Sequence, residues 1–383
     1  MAYPFEQHLR DIDQKISVKN CDRQAYTMMY DDVRDTLLGR MCVVSETFKK
    51  LYKGHTLFGS YPNSVRIIKP NEFDVFFELE TPYNDELYIE SDEYRPGFVK
   101  LDFEDVMEEL YNDENLSYVY DEFADNLLDR NDYLKRTNLQ WWIHDIIEEV
   151  FIRFGKIVHG RTTMELEYQK SSVAHTVKVR DLYSSRNISI DFVPAYPIGR
   201  PSWLRKRNFY PFVGCSENFF AVPKSFNATP KGRSGQSLTF LLVNPSAEYE
   251  LLLGKQHLKV ALRLLKSLRN CYRDDLRRLK SYFLVAMFLW QIRKRPESFW
   301  EQPINIVFLE MLEVLTEHFQ KGVLRYFWCP DLNLLDILKP TEIAEYADTL
   351  SSINNTLQSY IYQPNLSLER CETHFQLPDS DSD

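Results

Sequence analysis

The amino-acid sequence predicts an α+β protein with a mixed β-sheet in an N-terminal lobe and a helical bundle in a C-terminal lobe. β-Forming residues are concentrated in short runs between residues 72 and 193, whereas apolar residues recur at helical spacing beyond residue 248. The chain has 383 residues, of which 44 % are hydrophobic. It can therefore bury the cores of two closely packed lobes.

The N-terminal lobe is predicted to begin with a long helix and to continue as strands. Apolar residues at helical spacing predict one long helix, or two in series, over residues 4–52. Residues 72–80 are predicted as a strand because turn residues flank a run of β-formers. The remaining elements of this lobe are a helix at 137–154 and strands at 162–168, 176–179 and 187–193.

The C-terminal lobe is predicted to be almost entirely helical. Its helices are expected at residues 249–253, 257–271, 279–291, 304–321 and 340–358. A Pro, Gly and Arg-rich stretch at 197–208 suggests where the two lobes meet. We therefore predict a catalytic lobe with an N-terminal spine helix at 1–205, a helical lobe at 206–375 and an acidic disordered tail at 376–383.

Composition limits the location and the partners of the chain. No window approaches the roughly 18 apolar residues of a membrane span, and charged residues lie where a signal peptide needs an apolar core. These features predict a cytoplasmic protein with no membrane partner. The six cysteines lie far apart and lack zinc-ligand spacing, so no structural zinc is expected.

The net charge of −10 is unevenly distributed along the chain. Residues 85–132 contain 17 acidic and three basic residues, a local net charge of −14, which leaves +4 for the remainder. Electrostatic attraction depends on the local potential and not on the total charge. A basic face for a polyanion is therefore compatible with the composition.

Three acidic residues lie in predicted strands. Glu72 and Asp74 are two positions apart, so both side chains project from one face while Phe73 points into the core. Asp191 lies in a second apolar strand, where a carboxylate needs a metal or hydrogen bonds as compensation. Divalent metals that assist phosphoryl transfer prefer carboxylate oxygens. Taken alone, such a pair is more often the solvent face of a strand.

A tight turn precedes the acidic pair. Gly59 permits close approach of the backbone, and the Ser60 hydroxyl is available to a phosphate. Most Gly-Ser pairs are ordinary turns, so the combination with the three carboxylates is the specific signal.

The motif GS, a short loop, PNEFDVFFELE and a later hydrophobic-Asp-hydrophobic strand together resemble the signature of the cGAS-like receptors. The resemblance implies a nucleotidyltransferase-fold lobe that joins ATP and GTP into a cyclic dinucleotide. It implies that Glu72, Asp74 and Asp191 are catalytic and hold two Mg²⁺ or Mn²⁺ ions. Gly59, Ser60 and Asp191 are then expected to contact nucleotide.

The resemblance continues more weakly into the C-terminal lobe. ALRLLKSLRN resembles the helix with a phosphate-binding lysine, here Lys266, and LKSYFLVAMF resembles a segment that binds nucleotide, here Ser281 and Tyr282. Glu248 is assigned to nucleotide by the same resemblance, although the preceding segment lacks an Arg often found in the family. The alternatives are a core aromatic for Tyr282 and a solvated cation for Lys266.

The vertebrate DNA sensor of this family carries a His-Cys-Cys-Cys zinc insertion before the lysine helix. The equivalent stretch of this chain contains His257 but no cysteine. The chain therefore resembles the zinc-free invertebrate relatives, several of which sense double-stranded RNA. Product identity and the guanine contacts stay open.

Basic residues recur at intervals of three or four from Lys255 to Arg277, as on one face of a helix if the helix persists. Either a polyanion or a solvated surface explains that spacing. Because double-stranded RNA is recognised through phosphates and shape, no sequence-reading motif is expected. The candidate RNA-binding residues are Lys49, Lys50, Lys53, Lys255, Lys259, Arg200, Arg205, Lys206 and Arg207.

The leading hypothesis is a nucleic-acid-activated synthase of a cyclic dinucleotide for innate antiviral immunity. Double-stranded RNA is the expected activator and a cyclic-dinucleotide receptor the downstream partner. A linear polymerase of the oligoadenylate synthase type and a catalytically silent scaffold of the same fold are the alternatives.

Overall fold

The computed structural model describes residues 4–171, 173–199, 216, 218–224 and 236–378. The chain forms two compact units. The sheet unit comprises Asn20–Tyr61 and Asn71–Ala247, and the helical unit comprises Met1–Lys19, Pro62–Pro70 and Glu248–Asp383.

The boundary predicted at 205/206 lies outside the described residues, as do residues 379–383 of the predicted acidic tail. The division into consecutive lobes therefore stays a prediction. Gln376, at the start of that tail, is described, and its backbone N–H donates to the Ser267 carbonyl.

Twelve α-helices lie in the described part of the chain. They are α1 (Pro4–Ile16), α2 (Asn20–Val44), α3 (Glu46–Leu51), α4 (Glu104–Tyr111), α5 (Ser117–Glu122), α6 (Arg136–Phe154), α7 (Pro245–Leu252), α8 (Gln256–Cys271), α9 (Ser281–Lys294), α10 (Ile304–Gln320), α11 (Pro340–Tyr360) and α12 (Leu368–Glu372). None of the helices that the structure describes is long and apolar enough to cross a membrane.

The described residues also form ten strands, all of them in the sheet unit. They are β1 (Tyr52–Phe58), β2 (Glu72–Leu79), β3 (Tyr88–Ser91), β4 (Phe98–Asp102), β5 (Ile157–His159), β6 (Thr163–Lys170), β7 (His175–Asp181), β8 (Asn187–Ile198), β9 (Phe219–Val222) and β10 (Phe240–Val243). The α+β class and the mixed sheet predicted from the sequence are confirmed.

Strand β8 organises the sheet. The strand order is β3-β4-β10-β9-β8-β7-β6-β5, and β2 also pairs with β8 and with β1. The β2–β8 pair is parallel, whereas the pairs of β8 with β7 and with β9 are antiparallel. Residues of β8 therefore meet β7 on one side and β2 on the other.

Alternation along β2 fixes which residues face the core. Phe73, Val75, Phe77 and Leu79 are fully buried, whereas Glu72 is exposed and Asp74 is half-buried. The Phe73 ring stacks on Tyr30 of α2 at a centroid distance of 4.6 Å. Burying these large apolar side chains stabilises the strand by about 1.5–3 kcal/mol for each residue. The two acids are thereby directed to the opposite face.

The helical unit has its own apolar core, built mainly from α1 and α8–α11. Helix α8 lies within this core and is buried around most of its circumference, with Leu258, Leu262 and Leu265 among its buried residues. The predicted helical character of the C-terminal region is confirmed.

Candidate active site

The parallel pairing of β2 with β8 brings two of the predicted carboxylates together. Asp74 is the register partner of Asp191, and Glu72 is the partner of Ser189. Directly paired residues of neighbouring strands project from the same face of a sheet. Asp74 and Asp191 are therefore side by side. Glu72 lies two residues before Asp74 in β2 and projects from the same face.

Gly59 lies against the Asp74 carboxylate. A Cβ atom built on Gly59 would stand 2.6 Å from Asp74 Oδ2, and Gly59 has φ of +82°. Both features disfavour any other residue, because a real Cβ does not approach that closely and left-handed backbone is costly for residues with a Cβ. The predicted Gly-Ser turn is therefore adjacent to the predicted acids.

Helix α2 anchors the residue that follows this turn. The Tyr61 hydroxyl contacts the Thr27 hydroxyl and donates to the Arg23 carbonyl at 3.1 Å. The Arg23 guanidinium lies over the Tyr61 ring, 4.7 Å from its centroid, and Tyr61 also packs on Phe73. These contacts fix the chain directly after Ser60, whose own side chain is half-buried.

Thr176 of β7 holds the Asp191 carboxylate. Its hydroxyl donates to Asp191 Oδ1 at 2.6 Å, and the two residues are register partners. No sequence pattern indicated a role for Thr176, because a threonine in a predicted strand is ordinary. Only the pairing of β7 with β8 places it beside the acid.

The neighbouring His175 lies on the other face of the sheet and is fully buried. Its Nδ1 lies 2.8 Å from the Tyr168 hydroxyl, which is 3.0 Å from Nδ1 of His144. Burial lowers the pKa of His175 to about 3, so its imidazole is neutral at physiological pH. His175 therefore belongs to the buried face of the strand. It lies on the opposite face from Asp74 and Asp191 and cannot act as a general base beside them.

Divalent cations fit the chemistry of this face. Asp74 and Asp191 supply paired carboxylate oxygens, the ligands that Mg²⁺ and Mn²⁺ prefer. Gly59 leaves free the space that a Cβ would fill beside Asp74. Among the described residues, no group of three or more His, Cys, Asp or Glu side chains is close enough to hold a metal. The participation of Glu72 as a third ligand therefore stays a prediction.

The helical unit contains a second polar cluster. Glu248 Oε1 accepts hydrogen bonds from the Tyr282 hydroxyl at 2.7 Å and from Trp328 Nε1 at 2.8 Å. Burial, followed by the charge of Glu248, raises the pKa of Tyr282 well above its ordinary value. Glu248 and Tyr282 were both predicted from the sequence to contact nucleotide. Their hydrogen bond to each other was not predicted. Ser281 is the first residue of α9 and is half-buried.

Lys266 lies inside the helical unit. Its side chain is 5 % exposed, and its Nζ donates to the Val65 carbonyl at 3.0 Å. The alternative of a solvated cation is therefore wrong for this residue. Its role as a phosphate ligand stays a prediction.

The basic residues of α8 do not form a solvated stripe. Lys259 is 7 % exposed, and Arg263 forms two hydrogen bonds of 2.7 Å with the Asp13 carboxylate. Lys255 is paired with Glu297 at 2.8 Å. The helix ends at Cys271 and cannot extend the face to Arg277.

This burial corrects the predicted RNA surface. A side chain as buried as that of Lys259 does not present its charge to a duplex, and Lys259 is therefore not proposed as an RNA contact. Lys49, Lys50 and Lys53 are exposed at the junction of α3 and β1. Lys255 is half-buried and paired with Glu297, so its contact with RNA stays a prediction. The other candidates lie outside the described residues, namely Arg200, Arg205, Lys206 and Arg207.

Carboxylates paired on adjacent strands beside a Gly-Ser turn are the arrangement that the sequence predicts for a nucleotidyltransferase. In agreement, the family model described as the Mab-21 protein nucleotidyltransferase domain matches residues 61–253. The model described as the Mab-21 protein HhH/H2TH-like domain matches residues 257–352.

Curated relatives extend the similarity over most of the chain. "Cyclic GMP-AMP synthase-like receptor 1" of Drosophila erecta is 30 % identical over 318 residues, which is 82 % of this chain and 69 % of the relative. The protein of the same name from Drosophila melanogaster is 30 % identical over 82 % of this chain and 81 % of the relative. "Cyclic GMP-AMP synthase-like receptor" of Lucilia cuprina is 26 % identical over 96 % and 95 %, respectively. The chain belongs to the Mab-21 nucleotidyltransferase family and, within it, to the cGAS-like receptors.

Proposed function

We propose that this protein is a metal-dependent nucleotidyltransferase that joins ATP and GTP into a cyclic dinucleotide such as cyclic GMP-AMP. The product would serve as a cytoplasmic second messenger of innate immunity for a cyclic-dinucleotide receptor. The alignment of Asp74 with Asp191 beside Gly59 is the observation that supports the proposal. The names of the insect relatives support the product class.

Each residue of this face has a role in the proposed reaction. Asp74 and Asp191, with Glu72, would hold two Mg²⁺ or Mn²⁺ ions, which neutralise charge on a triphosphate and activate an attacking hydroxyl when bound. Gly59 lets the backbone approach a phosphate, and the Ser60 hydroxyl can donate to it. Helix α2 keeps this turn beside the acids through Tyr61. The nucleotide contacts of Glu248, Lys266, Ser281 and Tyr282 are part of the same proposal.

The direct test is to incubate the purified protein with labelled ATP and GTP, Mn²⁺ or Mg²⁺, and double-stranded RNA or DNA. Products are then identified by mass spectrometry. A cyclic dinucleotide is expected with RNA. A ladder of linear oligoadenylates would replace the proposal with the polymerase alternative, and the absence of any product under every condition would favour the silent scaffold.

We further propose that double-stranded RNA activates the enzyme and that Lys49, Lys50 and Lys53 contact its phosphates. These three exposed residues directly precede or begin β1, the strand that ends at the Gly-Ser turn. Each Lys–phosphate contact releases counterions, so log affinity falls with log salt by about 0.9 for each contact.

Reversing the charge of two of these lysines measures their contribution to RNA affinity. Lys49→Glu combined with Lys53→Glu should weaken RNA binding and RNA-stimulated synthesis together, and should reduce the salt slope by about 2. Lys156→Glu combined with Lys178→Glu is the control, because it makes an equal charge change at exposed positions elsewhere in the sheet unit. Affinity is measured at several salt concentrations. Equal slopes for the two double variants would exclude Lys49 and Lys53 from the RNA surface.

A further inference from the structure

A row of paired residues crosses four strands at the candidate active site. From β7 to β1 it consists of Thr176, Asp191, Asp74 and Phe58, each the register partner of the next. All four side chains therefore project from one face of the sheet. Strands β7 and β2 lie on opposite sides of β8, so Asp191 stands between a hydroxyl and a second carboxylate.

The position of the Thr176 hydroxyl is set by well-packed surroundings. Its neighbours His175 and Val177 are fully buried on the other face, which fixes the backbone of β7 at this point. Threonine is also stiff about χ1 because its Cβ is branched. The resulting hydrogen bond to Asp191 Oδ1 is 2.6 Å long, within the range of hydrogen bonds to charged oxygens.

Two carboxylates on adjacent strands need such a restraint. Neighbouring strands lie about 4.8 Å apart, and like charges directly opposite one another are destabilising. A donor on the β7 side of Asp191 engages Oδ1 and limits the rotation of the carboxylate. Because the carboxylate is planar, the hydrogen bond to Oδ1 also sets the direction in which its second oxygen, Oδ2, points. Within the described residues, Thr176 makes the only side-chain hydrogen bond to Asp191.

We propose that Thr176 is a positioning residue that orients the Asp191 carboxylate for the divalent cations of the reaction. This inference rests on the proposed catalytic role of Asp191. Residues that orient metal ligands through hydrogen bonds typically change metal affinity or activity by about 10- to 100-fold when they are removed. In this role Thr176 acts through Asp191 and does not itself contact the nucleotide or the cations.

The sheet unit offers a matched control. The Thr162 hydroxyl donates to Asp181 Oδ1 at 2.7 Å, so it makes the same type of bond to the same type of residue. Asp181 also accepts from the Ser184 hydroxyl and the Tyr183 backbone N–H and lies outside the carboxylate row. Thr162→Val therefore removes an equivalent hydrogen bond without disturbing Asp191.

The experiment compares Thr176→Val, Thr176→Ser and Thr162→Val in the full-length protein. Valine keeps the shape of threonine and removes the donor, whereas serine keeps the donor and loses the methyl group. Single-turnover rates are measured at saturating nucleotide. Mn²⁺ binding is measured separately by electron paramagnetic resonance in the presence of a non-hydrolysable ATP analogue.

Thr176→Val is expected to lower the single-turnover rate and the Mn²⁺ affinity by about tenfold or more. Thr176→Ser should restore both to within about threefold of the parent, and Thr162→Val should leave both unchanged. The inference is overturned if Thr176→Val keeps parental values, if Thr162→Val loses as much, or if serine fails to rescue. Should the parent form no product, the proposed function fails, while the Mn²⁺ comparison still decides the role of Thr176.

Discussion

The sheet unit and the helical unit use charged residues in different ways. In the sheet unit, acids on β2 and β8 project from one face because alternation and register put them there. In the helical unit, basic residues of α8 are turned inward and bind Asp13 and backbone carbonyls. The spacing of residues along the sequence therefore identifies one face of a helix or strand, whereas the surroundings of that element decide whether the face meets a ligand or another part of the protein.

The largest effect is expected at the acids of the sheet unit. Asp74→Asn should lower turnover by a factor on the order of 10² to 10³ or more, because it removes a preorganised charge and keeps the side-chain volume. Product formation and thermal unfolding are measured in parallel. Glu78→Gln is the control, since Glu78 lies on the same face of β2 and accepts from Thr56 instead. Near-normal turnover of Asp74→Asn would remove Asp74 from the catalytic set.

The next largest effect is expected at the mostly buried ion pair between Arg263 and Asp13 in the helical unit. Arg263→Ala should lower the free energy of unfolding by about 3 kcal/mol, because it leaves the Asp13 carboxylate without its partner in a mostly buried position. Both side chains are only 13 % exposed.

Urea unfolding of Arg263→Ala, Asp13→Ala and the double variant measures the coupling between them. Arg273→Ala serves as the control, because Arg273 is exposed beyond the end of α8 and should change stability by less than about 0.5 kcal/mol. If Arg263→Ala behaved like Arg273→Ala, the contrast between the two units would not hold for this residue.

A smaller effect is expected at the Gly-Ser turn. Gly59→Ala should cost about 1–2 kcal/mol of stability, because alanine is strained at a φ of +82°. The added Cβ would also displace the Asp74 carboxylate, so turnover should fall by more than the stability loss explains.

Gly54→Ala is the matched comparison, because a Cβ on Gly54 meets no atom within 4 Å. It should be neutral or slightly stabilising. Equal turnover for the two alanine variants would show that the close approach of Gly59 to Asp74 has no catalytic consequence.

Prediction of strands from sequence succeeded where the pattern was local. Residues 72–80 were predicted as a strand, and β2 spans Glu72–Leu79. The strand predicted at 187–193 is longer in the structure, since β8 continues to Ile198. Pro194 and Pro197 argue against a strand from the sequence, because proline cannot donate a ladder hydrogen bond. Pairing with β2 and β9 nevertheless maintains β8 through both residues.

In the acidic segment at 85–132, prediction from the sequence missed every helix and strand. No helix or strand was predicted in this segment, yet it contains β3, β4, α4 and α5. Its short elements carry too few apolar residues for a clear period, and they form because their buried residues pack on neighbours distant in sequence. Arg95 and Asp92 are an example of residues that look solvated in the sequence and form a buried ion pair of 2.7 Å.

From the sequence, alternation places Glu72 and Asp74 on one strand face, the Gly-Ser turn precedes them at short range, and the resemblance of this motif to the cGAS-like receptors predicts the class of the protein. The pairing of Asp74 with Asp191, the hydrogen bond from Thr176 to Asp191 and the burial of Lys259 and Lys266 became apparent only in the folded chain. Alternation and helical period are local properties of the backbone. Register and burial depend on which distant segment packs against each residue, and the order of residues along one segment does not contain that information.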